Sequence, residues 1–362
     1  MRVGAALPLL LTLGPAPGSD RRGGPSGNGF ATRFDEDLAA LAAAGCTDVR
    51  IPFDWSRIEP DPGRPDRDAL EWYGHVLTAA AGAGLNVWAS LMEGPLPGWF
   101  ADKGGWADAS AAGRRWPRFV ETVAEKFGDG IGGWVPLDRP TRLAARSYLG
   151  GGDPPGRDDP EIHARALSHL VVAWRDAWRI LHGGGAPVAT AFELEVFRPV
   201  DDTVPAREAA RWRDRTLWNL WLQGLRDGTV AVPGLAEREL ADLSGSCDLL
   251  GAVIPAPREQ MSDDVLARFG DDVGSVLRRL AEEAPERPLM VTLVGGPPDD
   301  DVRTRTIETF GGAVALARRD GVAVELLLHL PGIDRPGTKG AGIVDGDRVP
   351  KPSATSWAAL AG

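Results

Sequence analysis

The stretch Gly130–Pro140, GIGGWVPLDRP, decides how this chain is read. Its centre, Ile131–Leu137, has the apolar character of a buried strand, and Asp138-Arg139-Pro140 open the loop at its carboxyl end. The same unit, an amphipathic helical pattern followed by a short apolar run, repeats on both sides. Upstream, the helix Phe34–Ala44 carries Leu38, Leu41 and Ala42 at helical spacing and precedes the strand Thr47–Phe53. Arg67–Gly84 precedes Leu85–Leu91, and Ala111–Phe127 leads into Ile131–Leu137. Downstream, Pro160–His182 precedes Pro187–Glu193, and Pro205–Arg226 precedes Cys247–Ile254. Asp264–Ala284 then leads to Pro288–Val294, Asp300–Arg319 to Val322–His329, and Ser353–Leu360 closes the chain.

Runs such as CDLLGAVI and VAVELLLH are apolar throughout, as expected of parallel strands covered on both faces. Alternation of this kind predicts an α/β protein, a single (β/α)8 TIM barrel over residues 1–362, with its chemistry at the carboxyl ends of the strands. The eighth strand has to come from the apolar run Val3–Leu13. That run also resembles a signal peptide, but it has one basic residue and no clear Ala-x-Ala site. The strand reading is preferred, and with it a cytoplasmic location.

Composition narrows the partners. Of the 362 residues 43% are hydrophobic and 25% charged, the balance of a soluble globular protein. A net charge of −11 argues against nucleic acid and against an anionic membrane surface. No apolar run approaches the ~20 residues of a membrane span. Cys46 and Cys247 are far apart and read as two small buried residues. The five histidines include no HExxH, so neither a metal nor another cofactor is expected.

The loop after the second strand names a family. Arg50-Ile51-Pro52-Phe53-Asp54-Trp55-Ser56-Arg57-Ile58, followed by Pro60 and Gly63, resembles the Arg-Phe-Ser-x-x-Trp-Ser-Arg-Ile-x-Pro-x-Gly of glycoside hydrolase family 1, the β-glucosidase family. Gly104-Gly105-Trp106 and Phe127-Gly128-Asp129 are similar to two further signatures of that family. Tyr148, Gly150, Pro155 and Gly156 resemble its Gly-Tyr…Ala-Pro-Gly loop, and His163 and His169 fit the helix after it. Gly342-Ile343-Val344 and Pro350-Lys351-Pro352-Ser353 resemble its Phe-Gly-Leu-Val and Pro-Lys-Ser. The resemblance implies a (β/α)8 barrel and, in a typical member, retaining β-glycosidase chemistry on a glycosylated ligand.

The departures gather at the sugar-binding end. The opening stretch resembles Trp-x-Thr-x-Asn-Glu-Pro, which puts Arg139 where the family has its general acid/base Glu. A guanidinium keeps its proton at any working pH and cannot hand it over. The family's Thr-Glu-Asn-Gly corresponds to Thr292-Leu293-Val294-Gly295, so Leu293 stands for the nucleophile. The sugar-binding Gln and Glu after the first strand correspond to Leu11 and Leu13, and the His after the third becomes Glu93. The Asn-x-Tyr after strand six is Val253-Ile254-Pro255, and the Trp-Ser of strand eight is His329-Leu330.

Polar groups remain at the strand ends. Glu93, Asp138, Arg139, Glu193, Glu195 and His329 are the candidate catalytic residues, read either as a new acid/base set or as an ion-pair network filling a vacated pocket. Arg50 and Leu293 would line that pocket. Of the 13 tryptophans, Trp174 with Trp178 and Trp218 with Trp221 have core spacing, while Trp99 and Trp116 are the candidates for ligand contact. The run Asp299-Asp300-Asp301 reads as a helix cap. Three functions fit: an enzyme of different chemistry on a small organic or glycosylated molecule, a non-catalytic binder of a ligand or protein, and a glycosidase with displaced carboxylates.

Overall fold

A computed structural model describes residues 1–257, 262–284 and 286–362. Eight parallel strands form its main sheet: β1 (Arg2–Ala6), β2 (Asp48–Pro52), β3 (Asn86–Ser90), β4 (Gly133–Val135), β5 (Phe192–Glu193), β6 (Leu250–Pro255), β7 (Leu289–Val294) and β8 (Val324–Leu330). Their order is β4-β3-β2-β1-β8-β7-β6-β5. The sheet curls until its edges meet, where Trp134 bridges Val188 through Trp134 N to Pro187 O and Ala189 N to Trp134 O, both 2.8 Å. The expected α/β barrel is therefore the fold.

The apolar run at the start divides differently from the expected strand Val3–Leu13. β1 stops at Ala6, Pro8 is extended at φ −74° and ψ 134°, and Leu9–Thr12 form a short helix, α1. Proline has no N–H for a ladder and sits well just before a helix, so Pro8 turns the leucines from strand to helical turn. Helices α2 (Phe30–Ala43), α3 (Arg67–Gly82), α4 (Ala109–Phe127), α5 (Pro140–Tyr148) and α6 (Pro160–Leu181) follow. The long helix expected over Pro205–Arg226 is α7 (Val204–Asp214) and α8 (Leu220–Asp227) joined by a π-helical stretch, Arg215–Asn219. α9 (Asp263–Glu283), α10 (Asp300–Arg319) and α11 (Pro352–Ala358) come after it, and two four-residue helices, Trp55–Ile58 and Gly98–Ala101, lie in the loops after β2 and β3. Asp299 does cap α10, accepting from Val302 N at 3.0 Å.

Period-two alternation divides each strand between two cores. Ala6, Trp88, Val135, Ala191, Val253, Met290 and Leu328 belong to a small cluster inside the barrel, and the larger cluster lies between the sheet and its helices. The inner cluster is tightly filled. A Cβ on Gly133 would lie 2.3 Å from the Trp88 ring, so glycine on β4 makes room for the indole of β3. Trp88 Nε1 in turn donates to Asp48, which also pairs with Arg2 at 2.6 Å. Among the described residues, no helix is long and apolar enough to cross a membrane.

Candidate functional site at the barrel mouth

β2 turns Arg50 inward, level with Ala6 of β1, and buries it to 1% exposure. Among the described residues its Nε, Nη1 and Nη2 have no hydrogen-bond partner, and its one ion pair is with Asp138 Oδ1, 3.4 Å from Nη2. Asp138 is fixed by its own N–H to Met92 O, 2.8 Å, and its Oδ2 accepts from Arg139 Nε at 3.0 Å. Arg139 adopts the left-handed region at φ 49° and ψ 57°, which costs a non-glycine residue of order 1–3 kcal/mol. That turn starts α5, whose first residue is Pro140, and Arg139 N bonds Ala191 O at 2.7 Å. Three residues into the helix, Arg142 Nη1 meets Glu193 Oε1 at 3.0 Å, while Arg139 Nη1 lies 3.8 Å from Glu193 Oε2.

The outcome is a chain of alternating charge, Arg50–Asp138–Arg139–Glu193–Arg142. Its side-chain exposures run 1%, 1%, 17%, 15% and 34% from the barrel axis outward. Glu93 stands beside its inner end. Leu9 N of α1 donates to Glu93 Oε2 at 2.8 Å, and Oε1 is shut away from solvent with no hydrogen-bond partner among the described residues. Burial, followed by the Asp138 charge, pushes the Glu93 carboxyl above its usual range. Burial acts the same way on Asp138, but the Arg139 and Arg50 guanidiniums outweigh it and hold that carboxyl below its usual range.

α1 closes this part of the mouth. Its last carbonyls are held by arginines from two other segments, Arg335 Nη2 to Leu10 O at 3.3 Å and Arg57 Nη2 to Leu13 O at 2.9 Å. Beneath it, the space between Leu9, Ser90 and Glu93 is about 10 Å3, room for one water molecule at most. The open volume lies elsewhere, in a cleft of about 900 Å3 beyond the ends of β5 and β6. Glu193, Glu195 and Arg142 border it, with α7 and α9 as walls. Glu195 is positioned through its main chain, whose carbonyl accepts from Trp218 Nε1 at 3.0 Å. Trp218 lies in the π-helical stretch, and Thr141 of α5 ties into the same region by donating to Thr216 O at 3.2 Å and accepting from Trp221 Nε1 at 2.8 Å.

Several candidates lie away from this arrangement. His329 falls between the inward residues Leu328 and Leu330, so its fully buried ring points to the helices, edge-on to Trp357 with Nδ1 3.0 Å from Pro331 O. Burial lowers its pKa to about 4, which keeps it neutral, and it has no route to the mouth. Leu293 likewise belongs to the outer core; the inward positions on its strand are Met290, Thr292 and Val294. Trp116 is buried at 0% exposure against Trp55 and Trp106 and donates to Ala173 O, so it offers a ligand no surface. Trp99 is half-buried, bonds Glu59 O at 2.9 Å, and borders a separate surface hollow with Arg114 and Arg115. Arg142 was missed. The signal for it was its position three residues after Arg139 in a segment opened by Pro140, which puts both on one helical end.

Comparison with known proteins gives this geometry a lineage. Residues 20–232 match the model of glycosyl hydrolase family 1. The chain is 24% identical to beta-glucosidase 34 of Oryza sativa subsp. japonica over 250 residues, which are 60% of this chain and 48% of the rice protein. Thus the chain spans about half the length of that curated relative. In three dimensions it resembles the β-glycosidase from Pyrococcus horikoshii with a TM-score of 0.85 at 19% identity, over 99% of this chain and 93% of that one. The beta-glucosidase from Thermotoga maritima in complex with deoxynojirimycin gives 0.82 at 18% identity, over 99% and 97%. With more than half of its residues matched to the family model, this chain belongs to glycosyl hydrolase family 1.

Proposed function

We propose that this chain does not cleave glycosides by the two-carboxylate route and instead binds a small molecule in the cleft beyond β5 and β6. The observation that carries the reading is the group at the end of β4. A retaining glycosidase has two carboxyl groups ~5–5.5 Å apart, one giving a proton and one attacking the anomeric carbon. Arg139 occupies the acid/base position in the resemblance to the family. Burial works to lower its pKa, but Asp138, Glu193 and Glu93 outweigh it and raise it, so the proton stays on the guanidinium. The inward positions of β7 supply no carboxylate either. Glu93, beside the inner end of the charge chain, is occupied by Leu9 N under the α1 plug. A small ligand is supported by the size of the cleft, and by the deoxynojirimycin bound to the Thermotoga maritima barrel.

The test is a panel of 4-nitrophenyl β-glycosides. We expect no aglycone release above that of heat-unfolded protein. Release that disappears in Glu93→Gln or Glu195→Gln would overturn the proposal in favour of a glycosidase with displaced carboxylates.

One observation favours a second reading, an enzyme of different chemistry. Glu93 and Asp138 are driven in opposite directions, Glu93 up by burial and the Asp138 charge and Asp138 down, against its burial, by the Arg139 and Arg50 guanidiniums, and a carboxyl pair pushed apart in this way is what acid/base catalysis uses. Displacement of α1 would open that pair and the Arg50 guanidinium beside Asp138 to a ligand. On this reading a small molecule is turned over, and Glu93→Gln abolishes turnover while binding in the cleft is unchanged.

A further inference from the structure

α7 is the one helix of eight or more described residues in which none is buried. A helix covering a barrel ordinarily packs 8–10 Å from its neighbour through a shared apolar stripe. α7 instead turns Ala206, Ala209, Ala210 and Arg213, all on one face by their spacing, into the cleft. Across the gap α9 does the same with Val265, Arg268, Phe269, Asp272 and Val276. Two aligned faces thus stand apart around about 900 Å3 of space.

The charges in that space are not all balanced. Arg142 is paired with Glu193 at 3.0 Å, and Arg198 with Asp272 at 2.5 Å. Glu195 is also partnered. No ion pair or hydrogen bond among the described residues reaches the guanidinium of Arg213 or of Arg268, one on each wall. Guanidiniums facing a common space recognise carboxylate or phosphate oxygens well, because their planar forks match those groups. The alanine face and Phe269 offer no polar group to a ligand's remainder.

We infer that the cleft takes a small amphipathic anion, its carboxylate or phosphate head held by Arg213 and Arg268 and its apolar body laid between the alanine face of α7 and Phe269. This rests on the proposed function, because it names the ligand class of the same cleft.

The test uses one ring system with different heads: 1-naphthoate, 1-naphthyl phosphate, 1-naphthol and 1-naphthyl β-D-glucoside, measured by calorimetry on the full chain. At least one of the two anions should bind more tightly than both neutral compounds, and the tighter anion identifies the head. Arg213→Gln and Arg268→Gln should each weaken that anion about tenfold, the loss of one charge-assisted contact. Neither should move 1-naphthol by more than about twofold. Both positions are exposed, so the substitutions leave the fold intact. Ala210→Trp, which fills the cleft, should abolish binding of every probe. If the neutral compounds bind as tightly as the anions and only Ala210→Trp matters, the cleft is a small-molecule site but the anion inference falls. If no probe binds, or if binding survives Ala210→Trp, the proposed function falls with it.

Discussion

Removing the Asp138 charge would leave two guanidiniums, Arg50 and Arg139, with one fewer anion between them inside the barrel. Breaking a buried pair by deleting one partner costs about 3–5 kcal/mol. Asp138→Asn should therefore lower unfolding free energy by about that amount in urea titration, well beyond an exposed control such as Glu36→Gln. Glu93 should behave in the opposite way. Its folded pKa lies above the unfolded value near 4.5, so between those two values the folded state binds more protons. The favourable contribution is complete below the unfolded pKa and is lost as pH rises through the folded one. Glu93→Gln should thus be more stable than the wild type at pH 7 and show no such gain at pH 4. Two histidines pull the other way, since burial lowers His163 and His329 to about 4 from 6.5. Their contribution is complete above pH 6.5 and is lost as pH falls through 4. His329→Phe should flatten that part of the stability profile, and an unchanged slope would count against a buried neutral ring.

At the level of elements, the loop between β4 and α5 is tied to the cleft through Thr141. Thr141→Val keeps the shape but removes the acceptor of Trp221 Nε1, and an unmade buried hydrogen bond costs about 1–3 kcal/mol. The same change loosens the π-helical stretch that carries Trp218, the donor to Glu195 O. Thr141→Val should therefore both lower the melting temperature and weaken binding in the cleft, whereas Thr141→Ser should do neither. Most elements were legible before the fold was known. α10 spans Asp300–Arg319, as its periodicity requires, because it has an acidic cap and an unbroken apolar stripe. Where expectation and fold part, a local cause can be named. Pro8 halves the run Val3–Leu13, and a π-helical turn, which leaves no mark on hydrophobic spacing, breaks Pro205–Arg226. α5 was unread because Thr141–Tyr148 mixes polar and apolar residues behind a proline.

Across the whole molecule, barrel continuity is uneven. β1 and β8 share an extended ladder, whereas among the described residues β4 and the loop after it meet the segment before β5 through the bridge Trp134–Val188 and the bond from Arg139 N to Ala191 O. Amide exchange should be fastest along that seam and in α7, none of whose residues is fully buried, and slowest in β1, β2 and β8. Protection of α7 on adding an anionic probe would report occupancy of the cleft. The site was legible only in part, and the reason is again global. Runs such as Leu289–Val294 are apolar on both faces, so the sequence carries no alternation to say which residues look inward. Asp138, Arg139 and Glu193 lie at or just beyond the carboxyl ends of β4 and β5. Leu293 and His329 do not face inward, each being one position off the inward set.

The graded exposure of the five-membered charge chain has one more consequence. Mobile ions can gather around Arg142, a third exposed, but cannot follow the chain inward to Arg50. Sodium chloride should consequently unfasten the outer Arg142–Glu193 contact at concentrations that leave the Arg50–Asp138 pair untouched. The protein would then keep its melting behaviour in brine while the rim of the cleft slackened, a divorce between sturdiness and grip that ionic strength alone would control.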